Sequence, residues 1–248
     1  MGKIIAVASG KGGTGKTTTV AAVSSCLAAL GYRTLCIDFD LALKNLDLAL
    51  CMTDYAVADF LDVHSGRMRL MEACHEHPLL PDLFFLAAPA NGEPTEPDVA
   101  TVQPIFDEIR NEFDYCFIDA PSGIGDGFRI AHTVADMSII VTNGELPAMR
   151  DAQRTVDAAR NLGISELRLL VNRVKPENFK RLRLNIDIVI DTVCVQLLGV
   201  IREDRSVLIS LHENTPLVLY KRRRAVYDFL DAARRITGED VPLRRLYI

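Results

Sequence analysis

The segment Gly10-Lys11-Gly12-Gly13-Thr14-Gly15-Lys16-Thr17 fits GxxxxGK[ST] without a gap. Such a segment binds phosphate for a physical reason. Its glycines let backbone N–H groups converge on phosphate oxygens, and a helix opening at its end adds favourable dipole. Gly10, Gly12, Gly13, Thr14 and Gly15 supply the cradle. Lys16 is placed to reach β and γ phosphates, Thr17 to ligate Mg2+ through its hydroxyl, and Thr18 to donate to the α-phosphate. Lys11 is a second lysine that the motif does not require. Three uses are open to it: a solvated surface cation, a contact to its own nucleotide, or a cation delivered to a facing subunit's nucleotide.

Three carboxylates complete the candidate chemistry. Asp38 and Asp40 follow the apolar run Thr34 to Ile37. One is expected beside metal-bound water; Asp40, further into the loop, is expected to orient the attacking water. Asp119 ends a second apolar run, Tyr115 to Ile118, where a carboxylate can hold Mg2+ through water. Each could instead cap a helix or turn. Gly123 is expected to offer its backbone N–H to a γ-phosphate and to move on hydrolysis. Asn172, at another strand end, can present its amide to adenine or serve as a turn residue.

These residues need strand ends to hold them. Strands are expected at 3–8, 34–37, 83–87, 115–118, 138–142, 167–171 and 199–201. Helices are expected from the phosphate loop to about Leu30, and at 56–61, 67–74, 102–113, 128–135, 147–162, 186–197 and 220–237. Strand and helix alternate, and several strands are continuous apolar runs. That predicts an α/β, three-layer P-loop NTPase fold, with a mostly parallel central sheet flanked by helices on both faces. Chemistry in such sheets gathers at the carboxyl ends of the strands. No linker or repeat interrupts the 248 residues, so one domain spanning 1–248 is expected, with a short tail over 238–248.

Composition bounds the function classes. Hydrophobic residues make up 49%, which excludes a largely disordered chain. No apolar run reaches the roughly 18–20 residues of a spanning helix. Net charge is −5, but residues 1–150 hold 10 basic and 20 acidic side chains, whereas 151–248 hold 18 and 13. Basic clusters at Lys180/Arg181/Arg183, Lys221 to Arg224 and Arg234-Arg235 could track lipid or DNA phosphates, or simply be solvated helix surface. The six cysteines lack zinc or cluster spacing; Cys36 and Cys116 are expected as buried free thiols. No targeting pattern opens the chain, so a cytoplasmic setting is expected.

Together these motifs resemble the deviant Walker A (MinD/ParA) ATPase family, most closely its MinD branch. Lys11 stands at the family's signature lysine. Asp38 to Asp47 resembles the second-strand block, Asp119-Ala120-Pro121-Ser122-Gly123-Ile124 the second switch, Arg150-Asp151 the partner-binding helix face, and Gly199 to Val207 the late nucleotide-edge block.

The resemblance implies an ATPase switch that binds Mg-ATP, dimerises, and slowly hydrolyses ATP to ADP and phosphate. Its output would be partner and membrane recruitment in cell-division site selection. Lys16, Thr17 and Thr18 would bind phosphate and Mg2+; Asp40 would position water, with Asp38 and Asp119 near the metal. Lys11 and Asn45 would belong to the dimer-side site, and Asp151 to the face for a regulatory protein. Asn172 would contact adenine. Arg202 stands where relatives commonly carry a proline packing the base. Val241 to Ile248 resembles only the segment preceding the family's amphipathic membrane tail, so reversible peripheral membrane contact is expected to be weaker or to use another surface. A ParA-like ATPase binding DNA nonspecifically, a flagellar-placement ATPase, and a nucleotide-sensing adaptor with negligible turnover are the alternatives.

Overall fold

The computed structural model describes residues 1–40, 44–53, 58–88, 99–181, 184–220 and 224–244, without the side chains of Val99 and Lys180. The chain opens with β1 (Lys3–Ala8), α1 (Lys16–Ala29), β2 (Thr34–Asp38), α2 (Leu46–Ala49), α3 (Phe60–His64) and α4 (Leu70–Ala73). Then come β3 (His75–Glu76), β4 (Leu83–Leu86), α5 (Val99–Glu112), β5 (Tyr115–Asp119), α6 (Asp126–Val134) and β6 (Met137–Thr142). The last third holds α7 (Leu146–Asn161), β7 (Glu166–Val174), α8 (Pro176–Arg181), α9 (Ile186–Val193), β8 (Leu197–Arg202), α10 (Ser206–His212), a 3₁₀ turn (Leu217–Leu219) and α11 (Arg224–Ile236).

The strands form one sheet in the order β3-β4-β2-β5-β1-β6-β7-β8. Every pair is parallel except the short β3, which runs antiparallel on β4 at one edge. The apolar runs explain this. β2, β4 and β6 are buried at every residue, and β1 at all but Lys3, as strands covered on both faces must be. One face packs under α1 and α11, the other under α3 to α6; α7 and α9 cover the β6-β7 end. Each large apolar side chain fully buried this way contributes roughly 1.5–3 kcal/mol.

Several elements depart from the sequence expectation, each for a local reason. α1 is buried nearly all round from Thr19 to Ala28, not along one face, because α11 closes over it. The helix expected over 186–197 stops at Val193. Cys194 turns left-handed (φ 58°), and Leu197 pairs with Leu169 as β8 begins. The helix expected over 56–61 lies at Phe60–His64, because the Asp59 carboxylate accepts from the Leu61 and Asp62 amides and caps it. The expected 67–74 helix shortens to Leu70–Ala73. Residues 56, 57, 183, 221–223 and 245–248 lie outside the described residues, and with them one residue of the first basic cluster, three of the four at 221–224, and the tail's end. Cys36 and Cys116 are buried free thiols, as expected.

Candidate active site

Strand register assembles the site. β5 lies between β1 and β2, with Asp119 opposite Val7 on one side and Asp38 on the other. The phosphate loop leaves β1 immediately beyond Val7 and Ala8. Two carboxylates therefore meet the loop at the carboxyl ends of three adjacent central strands.

The loop turns where only glycine turns easily. Gly13 has φ 80° and Gly15 φ 95°. A Cβ on Gly15 would also stand 2.2 Å from Asn172 Nδ2. That approach is used: Asn172 donates from Nδ2 to the Thr14 carbonyl at 2.9 Å, while its Oδ1 accepts from the Arg173 amide at 2.9 Å. Asn172 is thus a brace between β7 and the loop, as well as a lining residue. Gly10 packs as tightly on α7. A Cβ there would come within 2.4 Å of the Asp151 carbonyl oxygen.

The loop faces a cleft of about 550 Å³. It is lined by Gly12, Gly13, Gly15, Lys16, Thr17 and Thr18, by Asp40 and Asn45, and by Arg202 to Arg205 with Leu208 and Leu211 of α10. Lys16 is buried although charged, and a buried cation calls for anionic partners, of which Asp119 is one.

Asp119 is 1% exposed, and its Oδ1 has no hydrogen-bond partner. Burial pushes its carboxyl up to about 7, with Asp38 and Asp40 adding to the rise while the Thr17 hydroxyl and Lys16 oppose it. Asp38 is pushed up to about 6, again chiefly by burial, even though its oxygens accept from the Asp40 amide at 2.9 Å and the Leu46 amide at 3.2 Å. Two crowded, desolvated carboxylates, one with an orphaned oxygen, make a locus that a divalent cation would relieve. The all-oxygen donor set beside the Thr17 hydroxyl fits Mg2+. Among the described residues no group of three or more His, Cys, Asp or Glu is poised to hold a metal.

Two predicted residues sit elsewhere in this arrangement. Lys11 does not line the cleft; its ammonium is 3.7 Å from Glu145 at the head of α7, with both side chains about half exposed or more (49% and 62%). Gly123, at φ 91°, donates its N–H to the Ser9 carbonyl at 3.2 Å and must release that bond to reach a phosphate. Arg202 lines the cleft, but its guanidinium is paired with Asp228.

Sequence reasoning missed α10 as a wall, and Arg173, which donates to the Gly13 carbonyl at 3.3 Å. A signal for α10 existed. Asp204 precedes Ser206 by two residues, and its carboxylate accepts from the Ser206 amide at 2.9 Å and the Arg224 amide at 3.0 Å. Its carboxylate thus ties the first residues of α10 and α11 together.

Comparison with known proteins agrees with this geometry. The family model described as the CobQ/CobB/MinD/ParA nucleotide binding domain matches residues 5–217. The septum site-determining protein MinD of Thermotoga maritima is 36% identical over 253 aligned positions, covering 100% of this chain and 93% of the relative. Among solved structures, the MinC:MinD cell division protein complex of Aquifex aeolicus matches with TM-score 0.91 at 34% identity, covering 98% of this chain and 99% of that one. The MinD of Pyrococcus horikoshii complexed with Mg-ADP matches with TM-score 0.84 at 26% identity, covering 97% and 100%.

Proposed function

The chain belongs to the CobQ/CobB/MinD/ParA nucleotide-binding family, and from that premise we propose how a cell-division switch ATPase runs on these residues. The protein binds ATP, dimerises, and hydrolyses ATP to ADP and phosphate. The observation that carries the site assignment is the phosphate loop facing Asp38 and Asp119 in register, with Asp119 Oδ1 left unpartnered.

The loop amides and Lys16 hold the β and γ phosphates and offset charge as the terminal bond breaks. Thr17 would hold Mg2+, with Asp38 and Asp119 behind it, and the ion would supply charge neutralisation at the phosphate oxygens. Asp40, in the cleft wall, orients the attacking water and accepts its hydrogen bond. Lys11 leaves Glu145 and crosses to the nucleotide of a second copy, with Asn45 on the same dimer-side rim. The Lys11–Glu145 pair is exposed and long, so releasing it costs little. Gly123 exchanges the Ser9 carbonyl for the γ-phosphate, which makes the 121–125 loop sensitive to hydrolysis.

A regulatory protein partner docks on the α7 face at Asp151. The support is mechanical: Asp151 packs on Gly10, so a shift of the loop around phosphate is felt on that helix. Among the described residues no helix is long and apolar enough to cross a membrane; we assign membrane contact to reversible peripheral association. Pelleting with anionic vesicles and with DNA, each in ATP and in ADP, separates that surface from a DNA-binding one.

The direct test of the site is Lys16→Ala. Mg-ATP binding should fall by about 10- to 100-fold, as expected for losing a charge-assisted contact worth roughly 1.5–3 kcal/mol. Unchanged affinity would sink the phosphate-loop assignment.

A further inference from the structure

The phosphate loop is gripped by an irregularity in β7. Val171 pairs with Val200 and Val174 with Arg202, so Asn172 and Arg173 stand opposite the single residue Ile201. Such a β-bulge bends its strand and re-aims side chains. Arg173 takes a left-handed backbone there, at φ 56°. That conformation strains a non-glycine residue and persists only where the surroundings hold it. β6 stands between β7 and β1 in the sheet, so no ladder bond ties β7 to the loop that follows β1. The bulge supplies the tie. Asn172 Nδ2 donates to the Thr14 carbonyl at 2.9 Å, and Arg173 Nη1 donates to the Gly13 carbonyl at 3.3 Å. Asn172 is 5% exposed, and its Oδ1 is fixed by the Arg173 amide.

Two successive carbonyls held from one strand fix two successive peptide planes. In a trans peptide the C=O and the N–H of one unit point opposite ways. Holding the Gly13 and Thr14 carbonyls toward β7 therefore turns the Thr14 and Gly15 N–H groups away from it. Among the described residues neither N–H has a hydrogen-bond partner. Donors aimed and left open beside a helix start are what phosphate oxygens collect.

We propose that the Asn172-Arg173 bulge is the positioning device of the phosphate loop. Asn172 and, more weakly, Arg173 set the two peptide planes that present the Thr14 and Gly15 N–H groups to phosphate. The proposal rests on the ATPase assignment above. It gives a strand outside the gapless motif a part in phosphate binding, exerted through the loop.

The test measures binding of Mg-ATP and of inorganic tripolyphosphate to the full chain, with the Thr14 and Gly15 amide resonances followed by NMR. In wild-type protein both amides should shift when tripolyphosphate is added. Asn172→Ala changes no charge. It should lose about tenfold for both ligands alike, the scale of one buried hydrogen bond, with both amide shifts reduced. Arg173→Gly accepts the left-handed backbone without strain and removes one donor. Its melting temperature should not fall, yet it should lose about threefold for both ligands at about 0.5 M salt, where the missing charge is screened. Arg173→Gly carries the test if Asn172→Ala does not fold. A loss for ATP with tripolyphosphate affinity intact would overturn the proposal, as would destabilised variants that bind both ligands normally. If wild-type protein binds tripolyphosphate and both variants match it, the proposal alone fails. If wild-type protein does not bind tripolyphosphate, the phosphate-loop assignment fails and this proposal with it.

Discussion

Two buried aspartates stand behind one cleft: Asp119 ends β5 in register with Asp38, and Asp228 holds Arg202, which lines the cleft. Asp119 is 1% exposed and Asp228 4% exposed, so water reaches neither. Asp228 has both oxygens occupied by the Arg202 guanidinium. Asp119 has one oxygen with nothing on it, two other carboxylates nearby, and a proton affinity raised to about 7. The difference lies in what each awaits. The Arg202–Asp228 pair is satisfied within the chain and forms part of the cleft wall. The Asp119 side is left electrostatically incomplete, a deficit that a metal-nucleotide would relieve under the proposed function. A folded protein tolerates such a deficit only where binding later repays it.

This contrast predicts opposite signs for two substitutions that look alike. Asp228→Ala leaves the partly buried Arg202 guanidinium without its buried partner, and should destabilise the chain by about 3 kcal/mol, the low end for breaking a buried pair, in urea unfolding. Asp119→Asn should stabilise the nucleotide-free chain at pH 8, by on the order of 2 kcal/mol, while impairing magnesium-dependent binding. The pH dependence follows from the raised affinity. Folded Asp119 holds its proton up to about pH 7, whereas an unfolded aspartate releases it near 3.8. Folding takes up a proton in that window, so the Asp119 contribution falls as pH rises from about 4 to about 7 and stays lost above it. The difference between wild type and Asp119→Asn, followed by thermal unfolding across that range, isolates it. Destabilisation by both substitutions at pH 8 would erase the contrast. The smallest effect is expected at the rim. Glu145→Gln removes the exposed partner of Lys11 and should change stability by less than about 0.5 kcal/mol.

The two regions also differ in how far the sequence discloses them. The phosphate side is local: one gapless motif after a strand, and aspartates at the ends of apolar runs, name most of its residues. Strand register then brings Asp38 and Asp119 together, which the parallel α/β pattern implies without stating which residues pair. The Arg202–Asp228 wall is assembled through space. Arg202 and Asp228 are 26 positions apart, and Asp228 looks in the chain like any polar residue of an amphipathic helix. Short elements such as α2, α8 and α10 carry too few turns for periodicity to show. The helix ends at Cys194 and Asp59 were set by a left-handed residue and a cap, which outweigh apolar spacing.

The central claim is that ATP, held across an intact site, closes two copies of this chain and hydrolysis reopens them. The measurement is the light-scattering mass of Asp40→Ala in Mg-ATP and in Mg-ADP, paired with phosphate release. The account predicts retained ATP binding, turnover reduced by about 100-fold or more, twice the mass of one chain in ATP, and a single-chain mass in ADP. A single-chain mass in saturating ATP, or turnover at the wild-type rate, would contradict it.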